Sequence, residues 1–181
     1  RYVIAFNGEI YNHLDLRRKL TLIGHAPDWR GHSDTETLLA AIEAWGVEDA
    51  LRQSTGMFAI ALWCRQSRLL TLARDRLGEK PLYYGYQHGE LLFGSELKAL
   101  RAHPSFGAPI DRGALTHFLR YSSMPASLSI YIGIQKLPPG TYVQFSEVAI
   151  SKREMPKPVA YWSLLSVVGR GMEHPFVGSE R

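Results

Sequence analysis

The stretch VIAFNGEIYNH, which runs from Val3 to His13, decides how the first part of the chain folds. It begins inside a nearly continuous apolar run, Tyr2 to Phe6, which is rich in strand-forming residues and predicts a strand that is covered on both faces. Asn7 and Gly8 interrupt this run, and Asn12 then marks the start of a helix. A simple loop or a hairpin turn fits this pattern, and so does one wall of an active site.

Helices and apolar hairpins alternate further along the chain. One helix is predicted at about 12–23, and a second at about 34–45 begins with the capping box Ser33-x-x-Glu36 and ends at Gly46. Short polar turns separate apolar strands, which indicates two antiparallel hairpins. The paired strands are MFAIALWC with RLLTLARD, and PLYYGYQ with ELLFGSE. Because these strands are apolar at nearly every position, we expect layers on both faces of the sheet.

The last third of the chain contains shorter elements. Two short helices are predicted at about 95–101 and 112–121, the second capped by Asp111, and a strand at about 141–145 follows the stiff turn Leu137–Gly140. From Ser151 the composition shifts to Lys, Arg and Pro, and then to Gly. We therefore predict a domain over residues 1–150 and a linker over residues 151–181 that leads to a further domain.

Composition narrows the class of protein. The chain has 181 residues, of which 45% are hydrophobic, enough for one domain with a sizeable core. No apolar run approaches the roughly 20 residues that a membrane helix needs. The net charge of +4 is dispersed and accompanies no nucleic-acid-binding motif. A single cysteine, Cys64, fits a cytoplasmic protein, and the histidines show no metal-binding spacing, so no metal site is expected.

Several motifs occur in a fixed order along the chain. They are NGEIYNH, HSDTE, GMFAIALW, RDRLGEKPLYYG, FGSELKAL and KLPPGTY. Over Tyr2 to about Trp162, the chain thereby resembles the glutaminase domain of glutamine-hydrolysing asparagine synthetases, a branch of the class II glutamine amidotransferases. The resemblance implies an α+β fold, a four-layer αββα sandwich of the N-terminal-nucleophile hydrolase type, here without its first strands.

The resemblance also implies what lies outside the chain. In the family, the nucleophile is a cysteine at the N-terminus of the mature protein, several dozen residues before the NGEIYNH strand. A synthetase domain that uses ATP and Mg follows the glutaminase domain. This chain holds neither sequence, so we expect the parent protein to be the enzyme and the chain alone to be inactive.

Four residues are assigned to the site by the resemblance. The side-chain amide of Asn7 and the backbone N–H of Gly8 would form the oxyanion hole, while Glu9 and Asp34 would help to bind glutamine. Each has a purely structural alternative. Asn7 and Gly8 could form a turn, Glu9 could be a solvated charge at a helix start, and Asp34 could serve only the first turn of its helix.

Two further features invite a catalytic interpretation that we do not adopt. Cys64 ends an apolar strand and has no histidine or α-amine near it in sequence, so a structural role is favoured over a nucleophilic one. The segment Arg74–Pro81 lacks the paired glycines of a phosphate loop, and a rigid turn held by ion pairs is expected instead.

Three functions therefore stay open at the level of sequence. The first is glutamine hydrolysis that supplies ammonia for ATP-dependent amidation of aspartate. The second is the same chemistry in a related synthetase that acts on another carboxylate. The third is a non-catalytic scaffold domain. The expected partners are glutamine and the parent's own C-terminal synthetase domain, with a possible homodimer, and no nucleic acid or membrane.

Overall fold

A computed structural model of the protein describes residues 1–125, 127–175 and 178. Its elements follow in chain order: β1 (Tyr2–Ile10), α1 (His13–Leu22), α2 (Asp34–Gln53), β2 (Gly56–Cys64), β3 (Leu69–Arg74), β4 (Tyr83–Gln87), β5 (Glu90–Gly94), α3 (Leu97–Arg101), α4 (Arg112–Tyr121), β6 (Ile134–Lys136), β7 (Thr141–Ser146), α5 (Glu147–Ser151), β8 (Val159–Ala160) and α6 (Leu164–Glu173). The two predicted hairpins are present as β2–β3 and β4–β5.

The strands form two antiparallel sheets. The first sheet has the order β1-β2-β3-β7-β8, and the second has the order β5-β4-β6. Every strand pair within them is antiparallel. β1 lies at one edge of the first sheet.

Side-chain alternation along β2 shows how the layers stack. Phe58, Ile60 and Leu62 point to one face, where they join a core formed with α1 and α2. Ala59 and Ala61 point to the other face, where they join a core formed with residues of the second sheet and its flanking segments. This is the period of two that a strand imposes on its side chains.

A third core covers the far side of the second sheet. Leu92 of β5 and Ile134 of β6 pack there against Leu100 of α3. The order of layers is therefore α1 and α2, first sheet, second sheet, α3, and the expected four-layer αββα arrangement is confirmed.

β1 departs from its prediction in two ways. It continues past Phe6 through Asn7 and Gly8 to Ile10, because its pairing with β2 extends to the last pair, Ile10 with Gly56. It is also covered less than expected. Even-numbered residues such as Phe6 pack on the α1–α2 core, whereas Val3 on the opposite face is exposed.

The second helix is interrupted at Gly46, as predicted, but a further helical segment that the sequence did not predict follows it. Gly46 adopts φ 79° and ψ 170°, which kinks α2, and the chain resumes helical structure up to Gln53. The second segment buries Ala50 and Leu51 in the core next to α1. Gly46 therefore acts as the predicted stop signal, and burial of this apolar pair accounts for the helical segment that follows it.

Residues beyond position 150 also pack on the domain. β8 pairs with β7, and Tyr161 is buried in the core that faces α1 and α2. The Tyr161 hydroxyl donates a hydrogen bond to the Arg74 carbonyl at 2.8 Å. None of the helices in the described part of the chain is long and apolar enough to cross a membrane.

Candidate active site

The end of β1 carries three of the four predicted site residues. Asn7 and Glu9 share the exposed face of the strand, because successive side chains alternate. The Asn7 side chain opens into a cleft between the two sheets, which Ala59 and Ala61 line from β2, and Phe93 and Ser95 line from the second sheet. An amide donor therefore stands at the mouth of an apolar cleft.

Asn7 makes one cross-sheet hydrogen bond. Its Nδ2 donates to the Ser95 hydroxyl oxygen at 3.0 Å. Ser95 directly follows β5 and precedes α3, whose Leu100 is buried. The position of the hydroxyl is thus fixed by the second sheet, whereas Asn7 belongs to the first.

Gly8 is required by the backbone around it. It has φ +154°, and a Cβ atom there would lie 2.0 Å from the Met57 carbonyl oxygen. On the facing strand, Gly56 pairs with Ile10, and a Cβ atom on Gly56 would lie 2.1 Å from the Glu9 carbonyl oxygen. The close approach of β1 and β2 accounts for a glycine at this position whether or not its N–H binds a ligand.

Asp34 is brought to this strand end by a direct hydrogen bond. Its Oδ2 accepts from the Ile10 backbone N–H at 2.8 Å, and its Oδ1 accepts from the Thr35 N–H at 2.7 Å. The half-buried Asp34 carboxylate therefore lies one peptide unit beyond Glu9. The structure thus gathers all four predicted site residues at one place.

The first turn of α2 does not form the predicted reciprocal capping box. The Ser33 hydroxyl accepts from the Thr35 N–H at 3.2 Å. The Glu36 carboxylate instead accepts from the N–H groups of Arg30 and Gly31. Glu36 therefore orders the loop before the helix rather than the helix end itself.

Arg17 on α1 holds the same loop from the opposite side. Its guanidinium donates to the carbonyls of Gly31 and Ser33 at 2.9 and 3.1 Å, and to the Thr37 hydroxyl at 2.8 Å. It also lies over the Trp29 ring, 4.0 Å from the centroid. These contacts fix the segment that leads directly into Asp34.

Tyr11, which follows β1, lies near several carboxylates. Desolvation, followed by the charges of Glu79 and Glu9, raises the pKa of the Tyr11 phenol. The two carboxylates therefore act on one phenol, although one comes from β1 and the other from the loop after β3.

The segment Arg74–Pro81 is a rigid turn, as expected, but ion pairs do not hold it. The buried Asp75 carboxylate accepts hydrogen bonds from the backbone N–H groups of Phe58, Leu77, Glu79 and Lys80. The Arg74 guanidinium donates to backbone carbonyls in return. A turn leaves backbone N–H and carbonyl groups without partners in regular secondary structure. The Asp75 carboxylate accepts from such N–H groups, and the Arg74 guanidinium donates to such carbonyls.

Cys64 lies far from the assigned oxyanion hole. It pairs with Tyr2 at the other end of the β1–β2 ladder, whereas Ala59 pairs with Asn7. Five strand positions of about 3.3 Å each separate the two pairs, or roughly 17 Å. A thiol at this distance cannot attack a carbonyl whose oxygen Asn7 holds.

Among the described residues there is also no group of three His, Cys, Asp or Glu side chains that could hold a metal ion.

Two residues of this site were missed by the sequence prediction. Ser95 stands in the FGSELKAL motif, but nothing local links it to Asn7, which is 88 positions away. Arg17 stands within an ordinary polar helix face, and only the folded loop shows its contacts. The roles of Asn7, Gly8, Glu9 and Asp34 stay predictions, although the structure places these residues together.

Comparison with protein families gives one match that spans most of the chain. Residues 1–161 match the family described as the glutamine amidotransferase domain. Asparagine synthetase [glutamine-hydrolyzing] 3 of Bacillus subtilis is 40% identical over 147 residues, which cover 81% of this chain and 24% of that protein. A putative asparagine synthetase [glutamine-hydrolyzing] of Mycobacterium tuberculosis is 37% identical over 147 residues, 80% of this chain and 22% of that protein.

The chain thus spans less than a quarter of the length of these relatives. Among solved structures, the glutamine phosphoribosylpyrophosphate amidotransferase of B. subtilis has the same fold, with a TM-score of 0.60 at 18% identity. The match covers 89% of this chain and 29% of that one. The α+β fold of the N-terminal-nucleophile type is thereby confirmed, and the chain belongs to the glutamine amidotransferase domain family.

Proposed function

We propose that this chain is the glutaminase domain of a glutamine-hydrolysing asparagine synthetase. The observation that carries the proposal is the convergence of Asn7, Gly8, Glu9 and Asp34 at one strand end, beside a cleft between the sheets, in a chain of the glutamine amidotransferase family. The names of the relatives support the choice of synthetase.

Hydrolysis begins when a thiolate adds to the side-chain carbonyl of glutamine. The carbonyl oxygen becomes negative in the tetrahedral intermediate, and the Asn7 amide with the Gly8 N–H stabilises it. The α-amine of the N-terminal cysteine, which took the thiol proton, gives it to the nitrogen as the C–N bond breaks, and ammonia leaves behind a thioester. Water then cleaves the thioester to glutamate and restores the thiol. In the family this thiolate belongs to the N-terminal cysteine of the mature protein, and we propose that glutaminase activity belongs to the parent protein that carries it.

Asp34 binds the α-ammonium group of glutamine. Its carboxylate is half-buried, with Oδ2 accepting from the Ile10 N–H and Oδ1 accepting from the N–H and the hydroxyl of Thr35. A carboxylate has about four acceptor positions, so one position on Oδ2 is left for a ligand. A charge-assisted hydrogen bond to an ammonium is roughly twice as strong as a neutral one. Glu9, on the exposed face one residue before Ile10, adds a second negative charge.

The remaining chemistry belongs to the parent protein outside this chain. We place the amidotransferase domain at residues 1–150 and a connecting segment at residues 151–181. Beyond them, a synthetase domain would bind ATP and Mg and activate aspartate, which the ammonia then attacks. We also propose a cytoplasmic location, in line with the single cysteine, and a homodimeric parent.

The test follows the amide nitrogen. The full-length protein is incubated with amide-¹⁵N-labelled glutamine, ATP, Mg and aspartate, and the products are analysed by mass spectrometry. Labelled asparagine is expected. Labelled ammonia without asparagine would show a glutaminase that serves another carboxylate, and further acceptors would then be tried. No glutamine hydrolysis at all would overturn the proposal in favour of a scaffold domain.

A further inference from the structure

We propose that Ser95 is the positioning residue of the oxyanion hole, which orients the Asn7 amide from the opposite sheet. This inference rests on the proposed function, since it takes Asn7 to be an oxyanion donor. It concerns a residue that touches Asn7 and need not touch glutamine itself.

The Asn7 amide nitrogen carries two protons. One proton is directed to the Ser95 oxygen, with Nδ2 and Oγ 3.0 Å apart. Because the carboxamide is planar, its two N–H bonds diverge by about 120°. Fixing one of them fixes the direction of the other within the amide plane. The second proton is then available for a developing oxyanion without a search over side-chain rotamers.

Ser95 is well placed to hold this geometry. Directly before it, Gly94 pairs with Tyr83, and a Cβ on Gly94 would lie 2.9 Å from the buried side chain of Leu100. Directly after it, Glu96 accepts the first backbone hydrogen bond of the α3 turn, from Ala99 at 3.0 Å. The hydroxyl is thus anchored by a strand on one side and a helix on the other.

Asn7, in contrast, has little else to orient it. It lies on the exposed face of the edge strand β1, and its amide nitrogen donates to the Ser95 side chain. A preorganised donor stabilises a transition state because it requires no reorganisation when charge develops. Loss of the Ser95 contact should therefore slow turnover and leave the ground-state binding of glutamine nearly unchanged.

A structural role predicts a different result. The Asn7–Ser95 bond is exposed to solvent, and the loss of an exposed neutral hydrogen bond has little effect on stability. Its loss would not unfold the domain. A kinetic defect that depends on Asn7 is therefore diagnostic of positioning.

The experiment is a double-mutant cycle in the full-length protein, read as ammonia release from glutamine. Ser95→Ala should lower kcat about tenfold, which is a fraction of the 10²–10³-fold cost of losing a donor outright, and should keep KM within about twofold. Ser95→Thr, which retains the hydroxyl, should restore kcat. In the Asn7→Ala background, Ser95→Ala should cause no further loss, because two residues that act as one unit are not additive.

The matched control is Ser105→Ala. Ser105 is a serine whose exposed hydroxyl donates to Glu90 at 2.6 Å, away from the cleft, and its replacement should leave kcat and KM unchanged. Unchanged kcat in Ser95→Ala, or an equal tenfold loss in both backgrounds, would overturn the positioning role while Asn7→Ala remains defective. Full activity of Asn7→Ala would instead overturn the oxyanion assignment, and the role of Ser95 with it.

Discussion

Two polar regions of this domain differ in how completely their hydrogen bonds are made. The Arg74–Asp75 turn is buried, with Asp75 0% and Arg74 4% exposed, and backbone groups occupy both charged side chains. At the end of β1, Asn7 and Glu9 are exposed, and within the described part of the chain the Asn7 side chain makes one hydrogen bond, to Ser95. In the first region, the hydrogen-bonding groups of the charged side chains are paired with groups of the protein. In the second region, donors and acceptors remain that a ligand can use.

This difference separates stability from function. A buried carboxylate that satisfies several N–H groups leaves all of them without acceptors when it is removed, which is costly. Removal of an exposed amide that faces a cleft leaves no buried donor or acceptor without a partner. Substitutions in the turn should therefore unfold the protein, and substitutions at the strand end should change turnover in a protein that stays folded.

The largest effect is expected for Asp75→Ala. It removes the acceptor of four backbone N–H groups, each of which costs about 1–3 kcal/mol when buried and unpaired. With partial relaxation of the turn, we expect a loss of about 4 kcal/mol in the free energy of unfolding. For a chain of this size, that lowers Tm by roughly 8–16 °C.

The matched control is Glu79→Ala, an exposed carboxylate of the same turn, which should change stability by less than about 0.5 kcal/mol. Urea unfolding of the two variants measures the contrast. Similar urea midpoints for the two variants would mean that Asp75 does not hold the turn.

The next effect concerns two asparagines of the NGEIYNH motif. Asn7→Ala in the full-length protein should reduce kcat for ammonia release by about 10²–10³-fold, while stability changes by less than about 1 kcal/mol. Asn12 has the opposite profile, because its amide bridges the Gln53 carbonyl and the Thr55 N–H at 2.9 and 2.8 Å. Asn12→Ala should cost about 1–2 kcal/mol of stability and leave kcat nearly unchanged. An equal loss of kcat in both variants would contradict the assignment of a catalytic role to Asn7 and a structural role to Asn12.

Asp34→Asn should have a smaller effect, on binding. An asparagine keeps an oxygen for the Ile10 N–H but loses the charge that holds an ammonium group. The KM for glutamine should rise about tenfold, equivalent to roughly 1.4 kcal/mol, with kcat within about threefold. Asp28→Asn, on the exposed loop before α2, is the control and should leave KM unchanged. An unaltered KM for Asp34→Asn would reject Asp34 as the ammonium ligand.

The smallest effect is expected for Cys64→Ser. Glutaminase activity should stay within about twofold, because Cys64 lies roughly 17 Å along the ladder from the assigned oxyanion hole. Hydrogen bonds from the Ser67 hydroxyl and from the Ser67 backbone lower the pKa of the Cys64 thiol to about 7. A pKa lowered in the folded state adds stability that is fully present above the unfolded value of about 8.5 and is lost as pH falls through about 7.

The unfolding free energy of the unsubstituted protein, relative to that of the Cys64→Ser variant, should therefore grow between about pH 6 and pH 9. Chemical denaturation of both proteins at a series of pH values measures this difference. A constant difference across the range would show that the folded protein does not favour the thiolate.

Local patterns in the sequence predicted much of this fold. Asp111 caps α4 as expected, since its Oδ1 accepts from the Gly113 and Ala114 N–H groups. Both hairpins appear where short polar turns separate apolar runs. These features depend on residues that are close in sequence, which is why a pattern can reveal them.

What the sequence did not predict depends on contacts between distant segments. β1 continues through Asn7 and Gly8 because Gly56, on another strand, lets the two backbones approach. The partner of Asn7 is Ser95, on the other sheet. The candidate site residues were assigned through the family motifs, but their mutual geometry required the structure.

The most direct test of this account is covalent labelling of the nucleophile. The full-length protein is treated with a glutamine analogue that carries an electrophilic carbon at the amide position, and the labelled peptide is identified by mass spectrometry. We expect stoichiometric label on the N-terminal cysteine of the mature full-length protein, protection by glutamine, and an unmodified Cys64. Label on Cys64, or labelling that glutamine does not prevent, would contradict it.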